Sequence, residues 1–471
     1  MTQPPSCCAW RAFGVAACAL AFSLPAQTQT PRPGFQALRQ NEDWSVLRGG
    51  ESQGFDRLKY IALREDGAIW ASIGGEGRLR VEGVDGNRFG APPTADDDDV
   101  YLLTRGRVHA DLHVGPHARA FVETTSAWVT ERELAGGRRS LDVDSIDLLQ
   151  AFLDMRAPLV DDVMFTLRGG RQTLLFGKQR LVSPLPWANA MRAWDGVSAI
   201  ADSPSFQAWA FLTQFVPPQK YAFNDVNRAV DFGGLHVTRK PVDGGMGLDV
   251  YGFWLHKDAA TFNGTTGDEE RYTVGARASQ APKAGTFDYD VEAAGQFGDH
   301  AGRDIEAFMV ALQVGRAFDG DLKPRAFVGL DYASGDESPG GRVQTFNQLF
   351  PLGHAHLGYI DIIGRQNIVD ASAGFGVTFT DSIKAAVDGH AFWLADRSDA
   401  LYDAGGNVVR AGGTARSNFV GYEVDATATW QANANLGVLL GLSWFGAGAM
   451  LEDSGPSEDT LFGYLQATLT F

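Results

Sequence analysis

The sequence predicts an all-β protein, a transmembrane antiparallel β-barrel of about eighteen strands with short turns on one rim and long loops on the other. Three observations carry that expectation. Hydrophobicity alternates with period two along many segments, the connections alternate between short and long, and the last segment runs to an aromatic residue, Phe471. In VYLLTRGRVHADLHV, one phase holds Val100, Leu102, Thr104, Gly106, Val108, Ala110, Leu112 and Val114, and the other holds Arg105, Arg107, His109, Asp111 and His113. Successive side chains of a strand point to opposite faces, so one face is apolar and the other ionic. A barrel in lipid turns the apolar face outward. Val108 and Leu112 are then expected to meet lipid, and Arg105 and Asp111 to meet water. A soluble sandwich or β-helix would need larger aliphatics than Thr104, Gly106 and Ala110 on its buried face.

Residues 1–26 read as a signal peptide: Arg11 precedes the apolar run Ala12–Leu24, and Ala26 is the small residue before a polar stretch. A lipoprotein reading of VAAC, ending at Cys18, would leave an apolar core of only Ala12–Ala17. Cys7, Cys8 and Cys18 all fall in this leader. The exported chain would then carry no disulfide and no cysteine-ligated metal. Residues 27–68 read as a periplasmic lead-in, too short for a lumen-filling plug of an energy-coupled transporter, and 69–471 as the barrel.

Strands are expected at 69–83, 100–114, 117–128, 145–156, 162–172 and 193–202. Six more follow at 205–215, 230–240, 246–256, 270–280, 285–297 and 305–317. The last six are 322–333, 367–380, 383–396, 417–431, 434–447 and 460–471. The first sets Ile69, Ala71, Ile73, Leu79 and Val81 against Glu76, Arg78, Arg80 and Glu82; the fourth does not alternate cleanly. The final strand, ending in Phe471, resembles the assembly signal of bacterial outer-membrane barrels. Gly115-Pro116, Ser203-Pro204, Asp381-Ser382 and Ala432-Asn433 are short connections, whereas DGNRFGAPPTADDDD, 173–192, 334–366 and 397–416 are long. An even strand count leaves both ends in the periplasm, and this many strands enclose an aqueous channel.

The net charge of −17 argues against a nucleic-acid partner. It says little about a pore, which is governed by its local ring of side chains. Arg78, Arg80, Arg105, Arg107, Arg119 and Arg168 fall on the expected lumen face, interleaved with Glu76, Glu82, Asp111 and Glu123. Each arginine alone is equally well explained as a rung of a neutral ion-pair ladder. Together they would attract an anionic solute. Loops 173–192 and 334–366 carry Leu174, Leu175, Phe176, Phe346, Leu349 and Phe350, so at least one is expected to fold inward; a surface loop is the alternative. His354 and His356 lack a nearby third ligand for a metal. Asp96–Asp99 and Asp331–Glu337 lack the full oxygen spacing of a calcium loop, though either could hold calcium loosely. No cofactor is called for. The absence of G-x-S-x-G leaves an outer-membrane hydrolase without support.

The blocks DSIDLLQAFLDM, GGRQTLLFGKQRLVSPLPWANAMRAWDG, DYASGD and FNQLFPLGHAHLGYIDIIGRQNI, with GGEGRLRVE near the start, resemble the alginate-export family of outer-membrane barrels. The likeness runs from about residue 60 to the C-terminus. It implies an eighteen-stranded barrel in the bacterial outer membrane that passes an anionic polysaccharide passively through an arginine-rich, anion-selective constriction. Arg171, Arg180, Arg192, Asp195 and Arg365 match the family's pore-region positions. The implied partners are the polysaccharide or another anionic solute, outer-membrane lipid and periplasmic export proteins. A porin for small anions or other small solutes is the alternative, and a barrel enzyme a more distant one. Strict alternation from Val163, Phe165 and Leu167 sends Arg168 inward and Arg171 outward. Either a bulge at Gly169-Gly170 re-aims the strand or Arg171 lies at the rim.

Overall fold

The computed structural model describes residues 33–471 apart from 51, 53, 91–95, 161, 243, 263 and 339. The expected signal peptide and the three cysteines lie outside the described residues. The strands are β1 Ile69–Asp85, β2 Asp99–Val114, β3 Ala118–Val129, β4 Asp144–Val160, β5 Val163–Gln172 and β6 Ala193–Asp202. They continue as β7 Phe206–Val216, β8 Val230–Arg239, β9 Gly247–Phe262, β10 Thr265–Gln280, β11 Phe287–His300 and β12 Arg303–Ala317. The last are β13 Arg325–Ala333, β14 Ile368–Thr380, β15 Ile383–Leu394, β16 Phe419–Gln431, β17 Leu436–Ala447 and β18 Thr460–Thr470. Each pairs antiparallel with its chain neighbours, and β18 closes onto β1 from Glu76↔Thr470 to Asp85↔Leu461. The 18 strands therefore form a closed barrel with no free edge, which in lipid is the only way a sheet can satisfy all its backbone donors and acceptors.

The alternation resolves as expected. Val108, Leu153, Leu167, Val197, Leu235, Val274, Val328 and Leu440 stand exposed on the outside. Trp128, Tyr422 and Trp444 sit outward toward the long-loop rim, and Phe287, Phe379 and Trp430 toward the other, as interfacial girdles do.

The long-loop rim departs from the expected pattern at two places. Phe262 pairs with Thr265 and His300 with Arg303, so β9–β10 and β11–β12 close in tight turns where loops were expected. The strands run on past the expected ends, where the outer face no longer needs to be apolar, while on the inner face Ala260 and Phe262 are buried against Ile305 and Val343. In β4 the ladder steps from Glu123↔Gln150 to Thr124↔Leu148, a bulge at Leu149. That extra residue explains the broken alternation of this strand, and it buries Leu149 against Met191, Ala193 and Val216.

The lumen is not an empty tube. The connections 173–192 (β5 to β6) and 334–367 (β13 to β14) both fold inward, so the inward alternative holds for both. Phe176, Leu181, Val182, Phe346 and Phe350 pack on Trp194, Phe211, Phe232 and Phe253, the inward residues of β6 to β9. Each large apolar side chain fully buried this way contributes about 1.5–3 kcal/mol, enough to hold a loop inside a water-filled barrel.

Candidate functional site

Three sectors of different chemistry line the lumen. On β1 to β5 the inward positions form an arginine wall built from ion-paired rungs. Glu76 accepts from Arg105 Nη2 at 2.7 Å and from Arg107 Nη2 at 2.5 Å. Arg119 donates to both Asp111 oxygens at 2.7 Å, Arg168 donates to Asp154 at 2.8 Å, and Arg80 Nε lies 2.6 Å from Glu82. Arg168 also lies 3.8 Å above the Phe152 ring. Arg78 differs. No carboxylate among the described residues pairs with it, and its guanidinium donates to the carbonyls of Pro186 (3.0 Å), Trp187 (3.1 Å) and Ala188 (2.9 Å) and to Asn189 Oδ1 (3.1 Å). Arg80 donates to the Trp187 carbonyl at 2.8 Å, and Arg105 to those of Pro186 (3.0 Å) and Ala188 (2.9 Å). Three arginines thus converge on one four-residue stretch of loop.

That loop spans the lumen from the arginine wall past the aromatic residues of β6 to β9 to β11. Phe176 lies on the aromatic sector, and Arg180 reaches β11, where it donates to Asp290 at 2.6 Å and Glu292 at 3.0 Å. Val182 then pairs with Phe350 of the second loop, with Ser183 N–H donating to the Phe350 carbonyl at 2.9 Å. Asn189 Nδ2 lies within 3.1 Å of the carbonyls of Thr104, Trp128 and Asp142 and anchors the return. Arg192 donates to the Pro351 carbonyl at 2.8 Å. The second loop is held by Arg365 on Asp331 (2.7 Å) and by the Ile360 N–H on Glu423 Oε1 (2.9 Å).

The third sector, β13 to β16, is acidic. Asp331, Asp370, Asp388, Glu423 and Asp425 face inward there, with His390 2.9 Å from Asp370. Between the loops and the arginine wall, a vestibule of about 430 Å³ is lined by Arg80, Arg88, Arg132, Arg139, Arg192, Glu82, Asp361 and Asp403. Burial pushes the Asp361 carboxyl up to about 6 despite Arg139 and Arg192 nearby. Burial and the adjacent Arg80 push the His354 imidazole down to about 3, so it is neutral where it stacks 3.6 Å from Trp187.

A family model for alginate export matches residues 69–464. The chain belongs to the alginate-export family. Its fold is shared with outer-membrane porins of low identity. OpdK of Pseudomonas aeruginosa has a TM-score of 0.56 at 10% identity, covering 85% of this chain and 98% of that one. OccAB1 of Acinetobacter baumannii has a TM-score of 0.56 at 11% identity, covering 89% and 100%. A structure of OpdK with vanillate gives 0.54 at 10% identity, covering 85% and 98%. No curated protein sequence matches significantly. Family and fold together place this alginate-export barrel in the bacterial outer membrane, and both are those of outer-membrane channels.

Within the alginate-export barrel, the structure brings Arg78, Arg80, Arg105, Arg107, Arg119 and Arg168 onto one wall. It sets Arg180, Arg192 and Arg365 on the two inward loops. Arg171 and Asp195 meet each other at 2.7 Å, but on the outer face near the long-loop rim, where Arg171 also reaches Asp147 at 3.2 Å. Their expected place in the pore is corrected to the rim. The ladder through Gly169-Gly170 is unbroken, so no bulge turns Arg171 inward. Gly170 faces in with φ of 129°, and a Cβ there would clash with the Ala151 carbonyl. His354 and His356 pin the two inward loops together: His354 stacks on Trp187, and His356 bonds the Lys178 carbonyl at 2.8 Å.

Sequence reasoning missed two features. The acid wall was legible in principle, because Asp370, Asp388, Glu423 and Asp425 sit on the polar phase of their strands. The lead-in was not. Its described part enters the lumen from the short-turn side, where buried Gln40 accepts from Arg119 (2.7 Å) and Gln150 (3.0 Å) and donates to Thr173 (3.1 Å). Arg39 donates to the Phe471 carbonyl at 3.0 Å, and a Cβ at Gly74 would collide with Lys59 and His109. Only the scattered Phe35, Trp44 and Leu47 signal this docking in the sequence.

Proposed function

We propose that this barrel passes a linear anionic polysaccharide of the alginate type across the outer membrane by passive diffusion, steered by the arginine wall. The observation that carries the reading is the Arg78, Arg80 and Arg105 cluster, each member of which aims donors at one chain-like run of oxygens. A uronate chain offers a carboxylate and hydroxyls at each sugar, acceptors that guanidinium forks match in geometry and charge. The interleaved Glu76, Glu82, Asp111, Glu123 and Asp154 limit how tightly the wall holds a polyanion, and weak multi-site binding is what allows a solute to leave. Periplasmic export partners would meet the short-turn rim, where the lead-in enters. The two inward loops, packed on Phe211, Phe232 and Phe253 and narrowing the lumen, favour a second reading, a porin for small anions.

Current through the purified protein in planar bilayers separates the two. Uronate oligomers should block it more strongly with length, and neutral oligosaccharides of equal length should not. Indifference to both would sink the polysaccharide reading and leave the small-solute porin.

A further inference from the structure

We propose that the segment Pro186–Asn189 is an internal placeholder, occupying the guanidinium cradle with its own oxygens until an incoming carboxylate-bearing chain competes it off. This rests on the polysaccharide reading above. Arg78 is 3% exposed and is held by neutral oxygens alone among the described residues. A carboxylate adds an opposite charge and the two parallel oxygens that match a guanidinium fork, so it is a better partner for a buried guanidinium than the carbonyls now in place. The segment's composition suits the role. Pro184 and Pro186 carry no N–H, which keeps donors away from the arginines. Leu185, next to the segment, holds a left-handed φ of 58°, a conformation L residues adopt rarely and only where their surroundings impose it. Trp187, Ala188 and Asn189 also line the vestibule, so a chain arriving there reaches the cradle's edge without opening the barrel wall.

Two variants test it in liposomes loaded with oligouronate. In V182C/F350C the pair that bridges the two loops becomes a disulfide. The second loop is anchored to β12 by Val343 and to β13 by Arg365, so the tie holds loop 173–192 in place. Oligouronate efflux should fall at least tenfold on oxidation and return on reduction. N189A removes the anchor to Thr104, Trp128 and Asp142; efflux should rise several-fold, and the reversal potential in a salt gradient should shift toward anions as the arginines are uncovered. Wild-type efflux through protein whose fully oxidised state is verified by mass spectrometry would overturn the placeholder while leaving the transport reading intact. So would an N189A channel with unchanged efflux and selectivity, which decides the matter if the cysteine pair does not fold. A wild-type barrel that releases no oligouronate overturns the transport reading and this proposal with it.

Discussion

The arginine wall and the acid wall are built by the same alternation on opposite arcs of one barrel, yet they handle charge differently. On β1 to β5 nearly every guanidinium meets a carboxylate across one rung, as Arg105 and Arg107 share Glu76. On β14 to β16, Glu423 and Asp425 face inward together, and the ligand of Glu423 is a neutral N–H from the second loop. The difference teaches that the outside of the barrel fixes the fold while the inside is free to segregate charge. A permeant anion therefore meets a transverse field rather than a uniform tube.

The comparison breaks most sharply on one pair of substitutions. Glu76→Gln leaves buried Arg105 with no carboxylate partner among the described residues and Arg107 with Glu123 alone, at 3.5 Å, and breaking a buried pair costs about 3–5 kcal/mol; the urea unfolding midpoint in vesicles should drop accordingly. Glu423→Gln keeps the oxygen that accepts from Ile360 and removes a carboxyl that has no cationic partner among the described residues. Its stability should stay within about 1 kcal/mol of wild type or rise. Equal losses for the two would erase the distinction between the walls.

A smaller effect sits in the vestibule. The folded Asp361 carboxyl titrates at about 6 against an ordinary 3.8. Between those values the folded state holds a proton that the unfolded chain has lost, so stability rises as pH falls through about 6. Melting temperatures at pH 5 and pH 7.5 should show this gain in wild type and a diminished one in Asp361→Asn. The smallest effect belongs to the rim. Arg171→Gln removes a partly exposed pair worth about 1 kcal/mol or less, and it should leave ion selectivity unchanged in bilayers. A selectivity shift equal to that of Arg105→Gln would return Arg171 to the lumen.

The fold was legible where lipid imposes a pattern. The outward phase must be apolar, so most of the strands and the outward heading of Arg171 followed from alternation. Legibility failed where that constraint lapses: at Lys257–Glu269, where the β9–β10 hairpin rises above the membrane, and at Leu149, where one inserted residue resets the phase. The inward turn of 173–192 was readable from Leu174 and Phe176, because apolar side chains on a loop need a surface to cover. What they cover depends on Phe211, Phe232 and Phe253, far away in sequence. The convergence of Arg78, Arg80 and Arg105 on Pro186–Asn189 is likewise a product of tertiary geometry. Alternation could name the arginines but not the oxygens they hold. Gln40 carries no pattern at all, since one polar residue in a polar stretch looks the same docked or solvated.

The most direct test of the arginine wall is single-channel block by oligouronate, compared between wild type and R78Q/R80Q/R105Q. The account predicts length-dependent block in wild type that weakens steeply with salt and is lost in the triple variant, because charge-assisted contacts supply the binding. Block of the triple variant at wild-type strength would contradict it.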